Sequence, residues 1–271
     1  MSWRVAAAAR ARRSAVVASA KKSISAKTSV ISEVDGALEL ISCPTVLPSG
    51  AVAGSGAVWT IVVGAGAGTR FGGPKQYESL GEMRVIDHAV AAATAASDGV
   101  VVVVRPEDAD CEQAIPGGAT RAASVRAGLA AVPDDAAVVC VHDAARPFAD
   151  TAVFAAVIAA VRGGADGAVP GVAVTDTVKV VADVIDGVRD VVSTPARSSL
   201  VAVQTPQAFD AAVLRRVHDT DAHGEATDDA SMVEATGGRV VVVAGDPLYR
   251  KITTPEDLAW ARGIVTDGGM R

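Results

Sequence analysis

The sequence predicts an α/β fold: a Rossmann-like, mostly parallel sheet flanked by helices, with a protruding β-hairpin arm. Half of the 271 residues are hydrophobic but only 3% are aromatic, so aliphatic side chains, mainly Val and Ala, must fill the core. From Val58 onward, short Val-rich runs alternate with longer helical patterns, as expected for parallel βαβ units. A Gly-rich loop directly follows the first of these runs. Together these observations favour a sheet with helices on both faces.

Each predicted strand is a short apolar run bounded by polar or turn-forming residues. The predicted strands are Val58–Val63, Val100–Val104, Ala137–Val141, Gly167–Val172 and Arg239–Ala244. The predicted helices are Val85–Ala96, Arg121–Ala131, Thr151–Val161, Ala211–His218 and Asp229–Ala235. A last helix begins at Thr254, where Thr is the N-cap, Pro255 takes the first helical position and acidic residues follow.

Residues 174–203 interrupt the alternation of strands and helices. Two Val-rich runs, Val178–Val184 and Val188–Val192, flank the dipeptide Asp186-Gly187. Asp-Gly between two apolar runs is a strong signal for a β-hairpin turn. This segment is therefore predicted to be the extended arm.

Residues 1–57 differ in composition from the rest of the chain. Residues 1–27 hold seven Lys or Arg and no acidic residue, and a Gly- and Pro-containing stretch follows. Three interpretations are open: a disordered extension or an over-called start, an organelle transit peptide, and a functional arm. The first is favoured, which places one domain at 58–265 and a tail at 266–271.

Charge and cysteine usage narrow the class of protein further. Because seven basic residues fall in 1–27, the remaining chain is more acidic than the net charge of −6, which argues against broad nucleic-acid binding. The cysteines Cys43, Cys111 and Cys140 show no metal-binding spacing and are expected to be reduced thiols. No run reaches the ~20 apolar residues of a membrane span. A cytoplasmic bacterial protein without a membrane partner is predicted; a plastid location would apply only if 1–57 were a transit peptide.

The Gly-rich loop runs from Gly64 to Tyr77 and reads GAGAGTRFGGPKQY. In open α/β sheets ligands bind beyond the carboxyl ends of strands, which is where this loop lies. Glycines let backbone N–H groups approach phosphate oxygens closely. Arg70 and Lys75 add two cations that could neutralise a polyphosphate. The loop is therefore a candidate nucleotide site.

Two well-known phosphate loops do not fit this spacing. A Walker A loop requires Gly-x4-Gly-Lys-Ser/Thr, which does not occur. The dinucleotide fingerprint requires Gly-x-Gly-x-x-Gly, but its third glycine position is Thr69 or Phe71, depending on the starting glycine. The second predicted strand is followed by Arg105-Pro106 rather than by a ribose-binding acid. A nicotinamide-dependent oxidoreductase is disfavoured.

The loop resembles that of sugar-phosphate nucleotidyltransferases, and Pro74-Lys75-Gln76-Tyr77 narrows the resemblance to the 2-C-methyl-D-erythritol 4-phosphate cytidylyltransferase family of the non-mevalonate isoprenoid pathway. The resemblance covers about residues 58–265. Four further strings match in order: Gly117-Gly118 with Arg121 and Ser124, Val141 to Pro147, Gln204 to Gln207, and Lys251 to Asp257. It implies a nucleotidyltransferase-type fold and transfer of CMP from CTP to a small polyol phosphate, with release of pyrophosphate. The attacking phosphate is already anionic, so no general base is required.

The same resemblance implies roles for individual residues. Arg70, Lys75 and Lys251 would be catalytic, surrounding the α-phosphate and the leaving pyrophosphate. A Mg²⁺ ion on the CTP phosphates would share this role, with Asp143 as the nearest candidate carboxylate. The implied CTP-binding residues are Gly64, Ala65, Gly66, Gly68, Gly118, Ser124, Asp143 and Ala144.

For the polyol phosphate, the resemblance implies a cation and several hydroxyl groups. The implied substrate-binding residues are Arg146, Asp176, Thr177, Arg197, Thr205 and Thr227. In the family the arm crosses to a partner subunit, so a homodimer is expected. The family often has an acidic residue where this chain has Ala119. It usually has an Asn before the late lysine, where this chain has Tyr249-Arg250. Arg250 could alter substrate choice. A cytidylyltransferase for ribitol 5-phosphate and a non-catalytic nucleotide-binding regulator are the alternatives.

Overall fold

The computed structural model describes residues 56–184, 187–220 and 228–266. Within these ranges the longer strands are β1 (Ala57–Val63), β4 (Gly99–Val104), β6 (Ala136–Asp143), β7 (Gly167–Ala173), β11 (Gln207–Asp210) and β12 (Val240–Ala244). The shorter ones are β2 (Ser79–Leu80), β3 (Met83–Arg84), β5 (Ile115–Pro116), β8 (Val180–Val181), β9 (Val191–Ser193) and β10 (Val201–Val203). The helices are α1 (Val85–Ala96), α2 (Ala109–Glu112), α3 (Arg121–Leu129), α4 (Thr151–Arg162), α5 (Ala211–Thr220), α6 (Asp229–Ala235) and α7 (Pro255–Thr266).

Eight of these strands form one mixed sheet. From β11 to the edge strand β5, the strand order is β11-β6-β1-β4-β5. In this part of the sheet β4 and β6 run parallel to β1, and β5 runs parallel to β4. Strand β11 lies between β6 and β7 and runs antiparallel to both, while β12 pairs with β7 in parallel. The predicted α/β fold with a mostly parallel sheet is confirmed.

Side chains of β1 alternate between two hydrophobic clusters, one on each face of the sheet. Val58 and Val62 belong to a cluster that includes the buried faces of α1 and α4. Trp59 and Ile61 belong to a second cluster that includes residues of α3, α5 and α6. Because both faces are covered, the central strand is apolar except for Thr60, whose buried hydroxyl forms a hydrogen bond with the hydroxyl of Ser97. No described helix is long and apolar enough to cross a bilayer.

The arm differs from its predicted extent at both strands. β8 and β9 pair antiparallel with each other, Val180 opposite Ser193 and Val181 opposite Val191, outside the main sheet. The turn residues 185 and 186 lie outside the described residues. Val201–Val203, which the prediction placed in the arm, instead pair with Gly171–Ala173 of β7. These three residues belong to the main sheet because β7 offers them an unpaired edge.

Strand β11 was not predicted. The four residues Gln207–Asp210 are too few to show a strand period, and a helix follows immediately. Pairing with β6 and β7 makes them a strand. Strand β1 begins at Ala57 and α7 continues to Thr266. The domain bounds 58–265 stay a prediction.

Candidate active site

The Gly-rich loop leaves β1 at the edge of the sheet where β4 and β6 also end. The N–H of Gly64 donates to the carbonyl of Val103 at 2.7 Å, which fixes the start of the loop on β4. Further along, the carbonyl of Gly68 accepts from the N–H groups of Phe71 and Gly72, both at 2.9 Å. Gly68 has φ +67°, and a Cβ there would collide with the carbonyl of Gly73, so only glycine fits this turn.

A second Gly-containing loop connects β5 to α3 and packs directly on the first. A Cβ on Gly117 would lie 2.5 Å from the Cβ of Ala65, so the two loops touch only because this position is glycine. The N–H of Gly118 donates to Ser124 Oγ at 3.2 Å, and the hydroxyl of Ser124 donates to the carbonyl of Thr120 at 3.0 Å. Ser124 thereby holds the loop against its own helix.

Asp143 ends β6 and lies at the centre of the charged groups. Lys251 Nζ is 2.7 Å from its Oδ2, Arg121 Nε is 3.6 Å from its Oδ1, and Arg146 Nε is 3.8 Å from its Oδ2. Burial by itself would raise the pKa of Asp143, but the charges of Lys251, Arg121 and Arg146 outweigh it and hold the pKa well below its usual range. Asp143 is therefore a carboxylate at neutral pH.

Lys251 comes to this carboxylate through the segment before α7. The N–H of the next residue, Ile252, donates to the carbonyl of Ala145 at 2.8 Å, just beyond the end of β6. Ile252 itself is fully buried, in a small cluster with Leu80 and Leu258. These contacts fix the backbone directly after the lysine, whose own side chain remains 38% exposed.

These elements enclose a cavity of about 350 Å³. It brings together, from four separate parts of the chain, all three predicted catalytic residues and all eight predicted CTP-binding residues. Those lining residues are Gly64, Ala65, Gly66, Gly68, Arg70, Lys75, Gly118, Ser124, Asp143, Ala144 and Lys251.

Four cationic side chains line this cavity, those of Arg70, Lys75, Arg121 and Lys251. Burial, together with the positive charges of Lys251 and Arg70, lowers the pKa of the Lys75 amine. Lys251 is partly neutralised by Asp143, whereas Arg70 and Lys75 face the cavity without a salt bridge to a described carboxylate. The cavity is thus a site for a strongly anionic ligand.

The family model for 2-C-methyl-D-erythritol 4-phosphate cytidylyltransferase matches residues 58–267. The chain belongs to this family. The enzyme of that name from Rhodococcus opacus is 43% identical over 227 residues, which cover 79% of this chain and 98% of the relative. The one from Streptomyces coelicolor is 43% identical over 226 residues, covering 76% of this chain and 83% of the relative.

Solved structures agree with this assignment. The 4-diphosphocytidyl-2C-methyl-D-erythritol synthase of Anaerococcus prevotii superposes with a TM-score of 0.69 at 27% identity, covering 78% of this chain and 96% of that one. The 2-C-methyl-D-erythritol 4-phosphate cytidylyltransferase of Thermus thermophilus gives 0.63 at 32% identity, covering 76% and 98%. The resemblance inferred from the motifs is confirmed.

Two of the residues predicted to bind the polyol phosphate, Arg146 and Thr205, are not among the residues that line this cavity. Arg146 donates from Nη1 to the carbonyl of Tyr249 at 2.7 Å in addition to its ion pair with Asp143. Thr205 is buried, its Oγ1 accepts the N–H of Asp143 at 3.0 Å, and it contacts His142 Nδ1 at 3.0 Å. In this arrangement the Thr205 hydroxyl holds the end of β6.

The other predicted polyol-phosphate residues are not brought to the cavity of the same chain. Asp176 and Thr177 are exposed in the segment between β7 and β8. Arg197 is exposed at the start of a short 3₁₀ helix and donates to the carbonyl of Thr175 at 2.7 Å. Thr227 lies outside the described residues. Arg250, expected to affect substrate choice, points to α7 instead, where it pairs with Asp257 and lies 5.4 Å from the centroid of the Trp260 ring.

Among the lining residues that were not predicted, two carry long polar side chains, Arg121 and Gln76. Arg121 belongs to one of the strings that match the family, so the sequence did point to it. Within that string, however, only Gly118 and Ser124 were predicted to bind CTP. Arg121 is bound from behind by Asp229, which is buried and 108 residues away, so no sequence pattern links the two.

The cavity supplies few ligands for a metal ion. Among its lining residues Asp143 is the one carboxylate, and in the described part of the chain no three His, Cys, Asp or Glu side chains cluster as a metal site would require. Mg²⁺ is commonly bound through one or two carboxylates plus substrate phosphates. The residues present therefore fit a Mg²⁺ ion that arrives with the triphosphate.

Proposed function

We propose that this chain transfers CMP from CTP to 2-C-methyl-D-erythritol 4-phosphate, giving 4-diphosphocytidyl-2-C-methyl-D-erythritol and pyrophosphate in isoprenoid precursor biosynthesis. The observation that carries the proposal is the convergence of Arg70, Lys75 and Lys251 on one cavity formed by the two Gly-containing loops. Membership of the cytidylyltransferase family names the reaction that such a site performs.

The reaction is a displacement at phosphorus. An oxygen of the polyol phosphate forms a bond to the α-phosphorus of CTP, and the bond from that phosphorus to the oxygen bridging to the β-phosphate breaks. The nucleophile is already deprotonated near neutral pH, so the chain is not required to remove a proton. What the site must supply is positioning and positive charge against a crowded anionic transition state.

The cations divide this task according to their surroundings. Arg70 and Lys75 come from the loop after β1 and are available to the triphosphate. Lys251 is shared with Asp143, whose carboxylate holds the ammonium group at 2.7 Å until a phosphate oxygen competes for it. Backbone N–H groups of the Gly-rich loop add donors without side-chain bulk.

A Mg²⁺ ion bound to the CTP phosphates would neutralise charge on the reacting groups. Asp143 would be its protein contact, because it is the carboxylate that lines the cavity. Since Lys251, Arg121 and Arg146 already approach this carboxylate, we expect the phosphates to provide most of the ligands.

The polyol-phosphate site is proposed to be completed by a second copy of the chain. The arm carries Val180, Val188 and Val192 at its surface, and Val188 is 67% exposed. A two-stranded hairpin is marginally stable alone, and apolar patches of this kind usually mark an interface. A homodimer paired through the arms would cover these valines by two-fold symmetry and bring Thr177 and Arg197 near the partner's cavity.

A cytoplasmic location, and the absence of nucleic-acid or membrane partners, also stay predictions.

Pyrophosphate release with CTP tests the function directly. We expect release with 2-C-methyl-D-erythritol 4-phosphate, little with ribitol 5-phosphate, and none with CTP alone. Faster release with ribitol 5-phosphate would assign the chain to that polyol. CTP binding without pyrophosphate release with any polyol phosphate in the panel would indicate a nucleotide-binding regulator and overturn the proposal.

A further inference from the structure

A chain of hydrogen-bonded polar side chains runs from the cavity into the helices on one face of the sheet. Arg121 lines the cavity, and its Nη1 donates to Asp229 Oδ2 at 2.6 Å. The other carboxylate oxygen of Asp229 accepts from His218 Nε2 at 2.9 Å. Asp229 and His218 are both buried, with side chains only 1% exposed, and neither lines the cavity. Nothing in the mechanism above uses them.

The three residues come from three different helices. Arg121 is the first residue of α3, Asp229 is the first of α6, and His218 lies in the last turn of α5. A second link joins the same elements, since Arg126 Nε of α3 donates to the carbonyl of His218 at 3.1 Å. The position of the Arg121 guanidinium is thus set partly by α5 and α6, neither of which contributes a residue to the cavity lining.

Two carboxylates hold opposite sides of this guanidinium. Asp229 binds Nη1 from the buried layer, and Asp143 lies 3.6 Å from Nε at the cavity. Burial opposes ionisation of Asp229, but the hydrogen bond from His218 and the charge of Arg121 outweigh it and lower its pKa. Similarly, burial opposes the charged form of Arg121, but the two carboxylates raise its pKa overall.

We propose that Asp229, held in turn by His218, is a positioning residue that acts through Arg121 to preorganise the CTP site. A long arginine side chain has many rotamers, and a ligand that had to select one of them would lose affinity. Asp229 removes that cost in the free protein. It also draws the guanidinium back from Asp143, which leaves Asp143 available to Lys251. The inference rests on the proposed function, because it takes CTP as the ligand.

The experiment compares wild-type chain with Asp229→Asn, Arg121→Gln and the double variant. Calorimetry with Mg²⁺ and CTP, and a thermal unfolding scan, are measured for each. We expect Asp229→Asn to weaken CTP binding about tenfold, the scale of losing one hydrogen bond to a charged group. The double variant should bind CTP as weakly as Arg121→Gln alone, because among the described residues it is Arg121 that links Asp229 to the cavity. In steady-state assays, the KM for CTP should rise in Asp229→Asn while kcat changes less than about twofold.

Asp210→Asn is the matched control. Asp210 is the last residue of β11, and its carboxylate caps α5 by accepting the N–H of Val213 at 3.0 Å rather than pairing with Arg121. Its replacement should leave CTP affinity unchanged. Unchanged CTP affinity in Asp229→Asn, whatever its unfolding temperature, would reduce Asp229 to a structural residue and overturn the proposal. So would losses that multiply in the double variant, or a fall in kcat with KM unchanged.

A second variant keeps the test decisive if Asp229→Asn does not fold. His218→Phe removes one of the two partners of the carboxylate, and we expect about threefold weaker CTP binding; unchanged affinity would contradict the inference. Calorimetry with CTP needs no polyol phosphate. A chain that binds CTP with these variant effects but releases no pyrophosphate would therefore contradict the proposed function and leave this inference standing.

Discussion

Lys251 Nζ lies 2.7 Å from Asp143 Oδ2, although 108 residues separate them in the chain. The ion pair joins the segment before the last helix to the end of β6 and thereby closes the cavity. The same carboxylate also offsets the positive charges of Arg121 and Arg146, which lie 3.6 Å and 3.8 Å from it. The negative charge of Asp143 allows Lys251, Arg121 and Arg146 to lie together beside the Gly-rich loop.

Replacing Asp143 with Asn should disperse these cations. Lys251 loses its anchor, so we expect kcat to fall about tenfold to hundredfold, the effect of losing a charge-assisted hydrogen bond in the site. The free energy of unfolding should fall by about 1–3 kcal/mol, less than for a fully buried pair because Lys251 is partly exposed. Steady-state kinetics and urea unfolding measure the two effects. Full activity in this variant would contradict the assigned role.

The pH dependence of that stability difference follows from the lowered pKa of Asp143. A carboxylate whose folded pKa lies below the unfolded value of about 3.9 stabilises the protein above that value, and the stabilisation is lost as the pH falls through the folded pKa. The difference in unfolding free energy between wild type and Asp143→Asn should thus be constant from pH 5 to 8 and shrink below about pH 4. A difference that changed across neutral pH would exclude this explanation.

Lys75→Ala should lower kcat by about a hundredfold to a thousandfold with little loss of stability, because a cation aimed at developing charge acts mainly in the transition state. The control is Arg162→Ala, an exposed cation that contacts the carbonyl of Gly56 just before β1, at the far end of the strand from the loop. It should leave kcat unchanged. Equal rates for both variants and wild type would remove Lys75 from the mechanism.

Activity should decline at alkaline pH before an ordinary lysine would titrate. Burial and the charges of Lys251 and Arg70 lower the pKa of Lys75, and raising the pH through that value removes its positive charge. The profile of kcat/KM for CTP reports the free protein, so it should show this decline. In Lys75→Arg the decline should move to higher pH, since arginine stays charged. An unshifted profile would assign the decline to another group.

Residues 1–55 should be dispensable for folding and activity, because they lack the periodic apolar pattern that packs on a core. A chain beginning at Gly56 retains all of β1 and should match the full-length chain in unfolding temperature and kcat. A chain beginning at Ile61 is the control. It loses residues of β1 that pair with both β4 and β6, and it should not fold. Loss of activity in the first chain would make the N-terminal segment an integral element.

Sedimentation at micromolar concentration should show a dimer, and mixing should show how its sites are built. Arg197→Ala and Lys75→Ala chains are each expected to be inactive. If Arg197 serves the partner's cavity, mixing them should restore part of the activity, because one site of the heterodimer then keeps both residues. A fully active monomer would refute the dimer. A dimer without recovery on mixing would place Arg197 in its own subunit's site.

The sequence by itself determined the layered fold and most of the cavity. Short Val-rich runs that alternate with helical patterns are readable from the sequence, so β1, β4, β6, β7 and β12 were evident to within a residue or two at their ends. Residues predicted to bind CTP lie in contiguous strings of the sequence, which is why the Gly-rich loop, Gly118, Ser124 and Lys251 were found; they do line one cavity.

Only the tertiary structure decided which distant groups meet. β11 is a strand because β6 and β7 pair with it, Thr205 turns inward to hold Asp143, and Arg250 binds Asp257 rather than facing the site. Arg121, at the cavity, and the buried Asp229 form an ion pair that neither local pattern contains. The reason is physical: local periodicity reports which face of an element is buried, whereas a charge buried far from its partner in sequence is tolerated only where the fold supplies that partner.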